Sequence, residues 1–212
     1  MKRIIIACAT LHRELLSAME SHHCTDPIIW LKAGAHNVPE KRLAEIQSAL
    51  EKCDGYDTVL LCMTFCGNSL VGLSSGKHTL VLPRFDDCLS LLLNNSKRPR
   101  DTYFLNEGWL QGNENLLREY DAAIEKYGKT RADRIFSAML KNYRRVVWLS
   151  HSPAPECVRD FAHHFSLDLS VEIPDYSMLY KLTQADWDDN FLIVPPECQI
   201  TLNMRNGGIS NV

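Results

Sequence analysis

Short, nearly continuous apolar runs recur along the chain, at Arg3–Ala9, Pro27–Leu31, Thr58–Met63, Thr79–Leu82, Val146–Leu149, Leu169–Ile173 and Asn190–Val194. They are rich in Val, Ile and Leu and are nearly continuous. That is the pattern of strands buried on both faces, as in a parallel sheet. Between most of them lie stretches with helical patterns: Leu11–Ser21, Pro39–Lys52, Asp86–Asn94, Pro155–Phe165 and Tyr176–Thr183. Pro39 suits a first helical turn. The rest of that helix is expected to turn its Glu, Lys and Arg residues to water. Alternating strands and helices predict an α/β fold, a doubly wound and mostly parallel sheet.

The centre breaks the alternation. Asn115–Tyr127 and Arg131–Tyr143 are consecutive helical patterns separated at Gly128. The expected organisation is one α/β domain over 1–212. Its pseudo-repeat halves would be Rossmann-like, at 1–112 and 145–212, with a helical insertion at 113–144. LVLPRFDDCLSLL and SVEIPDYSMLYKL echo each other across the halves, each an apolar strand, a proline, an acidic residue and a Leu-rich helix. Strand–proline–helix turns also look alike without any repeat.

With 212 residues, 45% of them hydrophobic, the chain has material for a substantial core. A net charge of -3 argues against a general nucleic-acid binder, which draws its affinity from a basic surplus. The basic run KRPR at Lys97–Arg100 is short and reads as a solvated loop. No apolar run approaches the roughly 18–20 residues of a membrane span, so no membrane partner is expected. The opening MKRIIIACATLHREL is too short in its apolar part for a signal peptide and runs into a charged helix start. Eight cysteines without regular spacing, and no secretory signal, point to reduced thiols in a cytoplasm.

The stretch from Cys62 to Leu93 concentrates the candidate chemistry. GLSSGKH, at Gly72–His78, is near a phosphate-binding loop but fails it. The glycine gap is one residue short, His78 replaces the magnesium-binding hydroxyl, and an apolar strand follows where a helix should begin. Its glycines are better explained as a turning loop, and the loop Cys66–Lys77 is expected to bury little and move comparatively freely.

Three thiols stand out by position. Cys8 falls at the end of the first strand, Cys66 just past the strand Thr58–Met63, and Cys88 in the first turn of the helix after Thr79–Leu82. Ligands collect outside the carboxyl ends of parallel strands, so all three are expected on one edge. Three thiolates from separate loops suit an iron–sulfur cluster with one open iron, or zinc with a fourth ligand. His36, in AGAHNVPE after the second strand, is the candidate fourth ligand or a substrate hydrogen-bonder. Cysteine is also among the most buried residues, so packing is the competing account for each thiol. Cys24, Cys53, Cys62, Cys157 and Cys198 read as structural.

PRFDDC raises a second chemistry. Arg84 offers a planar fork for a carboxylate or phosphate, and Asp86 and Asp87 offer acid and base. With Gly67 and Asn68 of the CGN string they form the candidate substrate-binding set. The competing account is a proline ending a strand, an aspartate capping a helix and an arginine pairing with it.

Several strings then fall into a recognisable order: IIIACATLHREL, AHNVPEKRL, FCGNSLVGLSS, LVLPRFDDCLSLLL, Gly108–Trp109, EKYG, KNY and VPPECQIT. In these the chain resembles the family catalogued as domain of unknown function sixteen thirty-eight, over nearly its whole length. It departs from that family at Ala9, where glycine is usual, and at LSHSPAP, where a threonine–glycine turn is usual. Members often accompany corrinoid-dependent methyltransferases for methylated amines. The resemblance therefore implies an accessory role in corrinoid or methyl-group metabolism, with a corrinoid protein or methyltransferase as candidate partner.

Three functions are thus expected as rivals. One is a metal- or iron–sulfur-binding accessory protein of that metabolism, using Cys8, Cys66, Cys88 and His36. Another is an enzyme with a cysteine nucleophile, Cys66 or Cys88, acting on a small molecule anchored by Arg84. The last is a non-catalytic protein that binds a corrinoid or docks on a methyltransferase. No D-x-H-x-x-G string supplies a lower-ligand histidine for a corrinoid.

Overall fold

A computed structural model describes residues 2–34, 39–94 and 98–205. Contacts divide the chain into two compact units, one of Met1–Asn95 with Asp175–Val212 and one of Ser96–Pro174. The second unit is thus an insertion within the sequence of the first.

The first unit is built on a five-stranded sheet of order β2-β1-β3-β4-β8. The strands are β1 (Arg3–Cys8), β2 (Ile28–Leu31), β3 (Thr58–Cys62), β4 (Thr79–Pro83) and β8 (Phe191–Val194). The first four pair in parallel, and β8 runs antiparallel to β4. The run RIIIAC of β1 and the run TVLLC of β3 are buried almost throughout, as central strands covered on both faces must be. Helix α2 (Pro39–Leu50) lays Ile46, Ala49 and Leu50 against Ile4, Ile6, Val59 and Leu61 on one face. Helix α8 (Ser177–Gln184) packs on β3, β4 and helix α1 (His12–Ser21). This is the doubly wound arrangement expected from the alternation.

The order places β2 on one side of β1 and β3 on the other. The carboxyl ends of β1 and β3 therefore flank a topological switch point, where open α/β sheets bind their ligands. No helix follows β3 directly. The segment 63–78 instead loops back to β4, and the short helix α3 (Cys88–Leu92) follows. That loop does not behave as expected of a glycine–serine stretch. Leu70 and Leu73 are fully buried, Gly72 N–H donates to Ile200 O at 2.8 Å, and Ser75 Oγ donates to Pro195 O at 2.7 Å. Its apolar residues dock it in the core cluster, and its polar groups tie it to the segment 195–200.

The second unit is a parallel sheet of order β5-β6-β7, from β5 (Thr102–Asn106), β6 (Arg145–Leu149) and β7 (Asp168–Glu172). Helices α4 (Glu107–Gln111), α5 (Leu116–Tyr127) and α6 (Lys129–Met139) join β5 to β6, and α7 (Glu156–His164) joins β6 to β7. Leu105, Val146 and Trp148 of the sheet pack with Leu117, Phe136, Val158 and Phe161 of the helices. The strand β5 is absent from the sequence-based expectation; its TYFLN follows a polar run and is bounded by polar residues. A last short helix, α9 (Leu202–Arg205), belongs to the first unit.

Candidate functional site

The three singled-out thiols converge. Cys8 is the last residue of β1, Cys66 lies in the loop beyond β3, and Cys88 opens α3 beyond β4. Together they line a small cavity at the switch point, with Arg42, Met63, Thr64 and Ser69. Its volume is about 10 Å³, close to what one water-sized sphere occupies.

The backbone that delivers Cys66 is unusual. Phe65 N–H donates to Phe85 O at 3.2 Å and Cys66 N–H to Asp86 O at 2.8 Å, so the loops after β3 and β4 continue to pair beyond the sheet. The chain then passes through three successive left-handed residues, Cys66 at φ 38°, Gly67 at 71° and Asn68 at 75°. Glycine adopts this region freely and asparagine tolerates it, but a cysteine there is strained by about 1–3 kcal/mol. Ser69 N–H donates back to Phe65 O at 2.8 Å and closes the turn. The result keeps Gly67 and Asn68 exposed and holds Cys66 half-buried beside the other two thiols.

Cys88 is the hub of the cluster, within hydrogen-bonding reach of both Cys66 and Cys8. Thr64 Oγ1 lies 3.2 Å from Cys66 Sγ and 3.8 Å from Cys88 Sγ, while Cys8 Sγ lies 3.3 Å from Thr10 Oγ1. The Cys88 S–H donates to Cys8 and, with Thr10 and the Arg42 guanidinium, pulls the Cys8 thiol down to about 6 against the opposing effect of burial. The same contacts, to Cys66 and then Cys8, together with burial, push Cys88 well up. Of this pair, Cys8 is therefore the thiol that favours ionisation. Cys62, one strand position inward and fully buried, is raised by desolvation and is a core thiol.

Arg42 is the residue that sequence reasoning misplaced. Expected on the water-facing side of its helix, it is 4% exposed and lines the cavity. It donates to Lys32 O at 2.9 Å, to Gly34 O, and to Glu45 Oε2 at 3.3 Å. These main-chain and carboxylate partners make its burial tolerable. Thr64 and Ser69 were missed as well, although their nearness to Cys66 in sequence was a signal.

The remaining candidates are placed elsewhere. Arg84 is not among the cavity-lining residues. Its Nε donates to Phe191 O and its Nη1 to Met204 O, each at 3.0 Å, so it fastens β8 and α9 to the end of β4. Asp87 caps α3, accepting from Ser90 N–H at 2.7 Å, as the structural account of PRFDDC anticipates. Asp86 is exposed and contributes its carbonyl to the Cys66 loop. His36 lies outside the described residues.

Three sulfurs are a soft donor set that suits zinc or iron–sulfur chemistry. In a tetrahedral thiolate site with bonds of about 2.3 Å, neighbouring sulfurs stand about 3.8 Å apart. Among the described residues, no group of three or more His, Cys, Asp or Glu side chains is already disposed around a common point to hold an ion. The thiols bond to one another and to Thr10 and Thr64.

Residues 30–183 match the family described as Protein of unknown function (DUF1638). The chain belongs to that family. No curated protein and no solved structure matches it. Among the described residues, no helix is long and apolar enough to cross a membrane. All eight cysteines are free thiols.

Proposed function

We propose that the protein is a metal-binding accessory protein whose centre is formed by Cys8, Cys66 and Cys88. The observation that carries this reading is the meeting of three thiols from three separate strand ends at the switch point of the sheet. The lowering of the Cys8 thiol supports it, because a metal takes thiolate and not thiol. Arg42 supports it too, since three thiolates around a divalent ion leave a net negative charge that a buried guanidinium offsets. The small volume favours a single ion such as zinc over a four-iron cluster, with His36 as the candidate fourth ligand. A bound zinc would supply Lewis acidity at any position the protein leaves open. Service to corrinoid-dependent methyl-group metabolism, beside a corrinoid protein or a methyltransferase, rests on the family resemblance, and a cytoplasmic setting on the irregularly spaced cysteines.

The test is metal analysis of protein prepared without oxygen, and after reconstitution with zinc or with iron and sulfide. The reading requires stoichiometric metal in the wild type, lost in Cys66→Ser and Cys88→Ser and kept in Cys157→Ser. No stoichiometric metal under any of these conditions overturns it.

One observation favours a second reading, a thiol nucleophile. The lowered thiol is Cys8, while Cys88 is raised. A substrate-dependent covalent adduct on Cys8, found by mass spectrometry in metal-free protein, would select it.

A further inference from the structure

The second unit holds a larger cleft, unrelated to the thiol cluster. It has a volume of about 780 Å³, within the range of about 300–1,000 Å³ usual for small-molecule sites. Two helix faces make its walls: Leu117, Tyr120 and Ile124 of α5, and Cys157, Phe161 and His164 of α7, each at helical spacing. Leu110 of α4 and Lys129 of α6 also line it. Leu117 and Phe161 belong to the core and are buried, so the apolar wall is fixed by packing and not by mobile surface side chains.

One corner is polar and fully organised. Tyr120 Oη donates to Asp133 Oδ1, and His164 Nε2 lies 2.9 Å from the same oxygen and 3.0 Å from Tyr120 Oη. Lys129 Nζ donates to Tyr120 Oη at 3.3 Å and to Asp133 Oδ2 at 3.5 Å. Both oxygens of Asp133 are therefore engaged. The Lys129 ammonium has three donors, of which two are used. Rings of Phe136, Phe161 and Phe165 pack around Tyr120 with centroids 5.0–6.1 Å away and hold the corner in place. The unspent hydrogen-bonding capacity at this corner is thus a charged donor beside an apolar wall. Two further carboxylates line the cleft, Asp121, whose partner is Arg118 at 4.0 Å, and the exposed Asp160.

We propose that this cleft binds a small amphipathic anion, its apolar body between α5 and α7 and its carboxylate on the remaining donor of Lys129. An anion completes the ammonium's donors with a charge-assisted hydrogen bond beside the apolar wall. An amine head would be repelled by the Lys129 ammonium at this corner, and a neutral head would forgo the charge-assisted bond.

Matched ten-carbon probes test this on the full chain by calorimetric titration: decanoate, decanol and decylamine, all below their micelle concentrations. Decanoate should bind saturably at one site, about tenfold or more tighter than either of the others, the scale of one hydrogen bond to a charged group. Lys129→Ala should weaken decanoate about tenfold and leave decanol unchanged, with an unaltered thermal midpoint as the folding control. Cys157, an exposed thiol on the cleft wall, gives a second readout in the wild type. Decanoate should slow its alkylation by N-ethylmaleimide. Equal affinity for the three heads, decanoate binding without saturation, or Cys157 alkylation untouched by decanoate would each overturn the proposal.

Discussion

The thiol of Cys88, in the first turn of α3, stands within hydrogen-bonding reach of the thiol of Cys8 at the end of β1. Two buried thiols so placed do not ionise independently. The first proton to leave is that of Cys8, because Cys88, Thr10 and Arg42 all favour its thiolate. Thiolate ultraviolet absorbance of metal-free protein should therefore show one thiol ionising near pH 6. That step should vanish in Cys8→Ser and move up in Cys88→Ala. The sign for stability follows from a folded value lowered to about 6 from an ordinary 9. The contribution is complete above about pH 9 and is lost as pH falls through about 6. The stability gap between wild type and Cys8→Ser should accordingly narrow as pH falls across that window. An unchanged gap would show that Cys8 is protonated throughout.

Arg42 links the thiol cluster to the chain beyond β2. Arg42→Gln keeps a polar side chain but cannot reach both Lys32 O and Gly34 O, and it removes the charge beside Cys8. Urea unfolding should show a loss of about 1–3 kcal/mol. The thiolate step should rise at the same time. Lys41→Gln, one residue away and exposed, should change stability by no more than about 0.5 kcal/mol. Equal effects of the two substitutions would count against the buried role of Arg42.

These two residues also mark what the sequence could and could not reveal. Cys8 was legible because a parallel strand has a direction, and its carboxyl end is where ligands gather. The same logic brought Cys66 and Cys88 to one edge. Arg42 was not legible. A charged residue on an amphipathic helix is read as solvated, and only the main-chain carbonyls of residues 32 and 34, gathered by tertiary structure, make burial affordable. Strand direction was partly hidden as well. FLIV of β8 reads like the parallel strands, yet pairs antiparallel with β4, because apolar content reports burial and not polarity. TYFLN of β5 escaped because only its three central residues are apolar and it ends on Asn106, whose side chain caps the next helix by accepting from Trp109 N–H at 3.0 Å.

Ser75 decides whether the loop between β3 and β4 is anchored or loose. Its hydroxyl donates to Pro195 O at 2.7 Å, lies 3.0 Å from Cys198 O, and accepts from Cys198 N–H at 3.0 Å. The residue is 1% exposed, so water cannot replace these partners. Ser75→Ala should cost about 2–3 kcal/mol and speed amide hydrogen exchange at Cys198 and Gly72. Ser74→Ala, at an exposed neighbour, should leave the Cys198 amide as it is. Fast exchange at Cys198 in the wild type would mean that the loop is open in solution.

Asn115 serves the corner between α4 and α5 in two ways, and the two are separable. Its Oδ1 accepts from Arg118 N–H at 3.1 Å and so caps α5. Its Nδ2 donates towards Trp109 O, Leu110 O and Gly112 O at 3.1, 3.3 and 2.8 Å, closing the end of α4. If capping alone mattered, Asn115→Asp would be harmless, since aspartate caps as well as asparagine and suits the helix dipole. Here it would set a carboxylate against three carbonyl oxygens in a site 2% exposed. Asn115→Asp should therefore destabilise at least as much as Asn115→Ala, by about 2–4 kcal/mol in urea unfolding at neutral pH. Protonating the new carboxyl restores a donor, so the deficit of Asn115→Asp alone should shrink as pH falls. Because α4 and α5 supply Leu110 and Leu117 to the cleft, both substitutions should also weaken decanoate, whereas Asn142→Ala, beyond α6, should not.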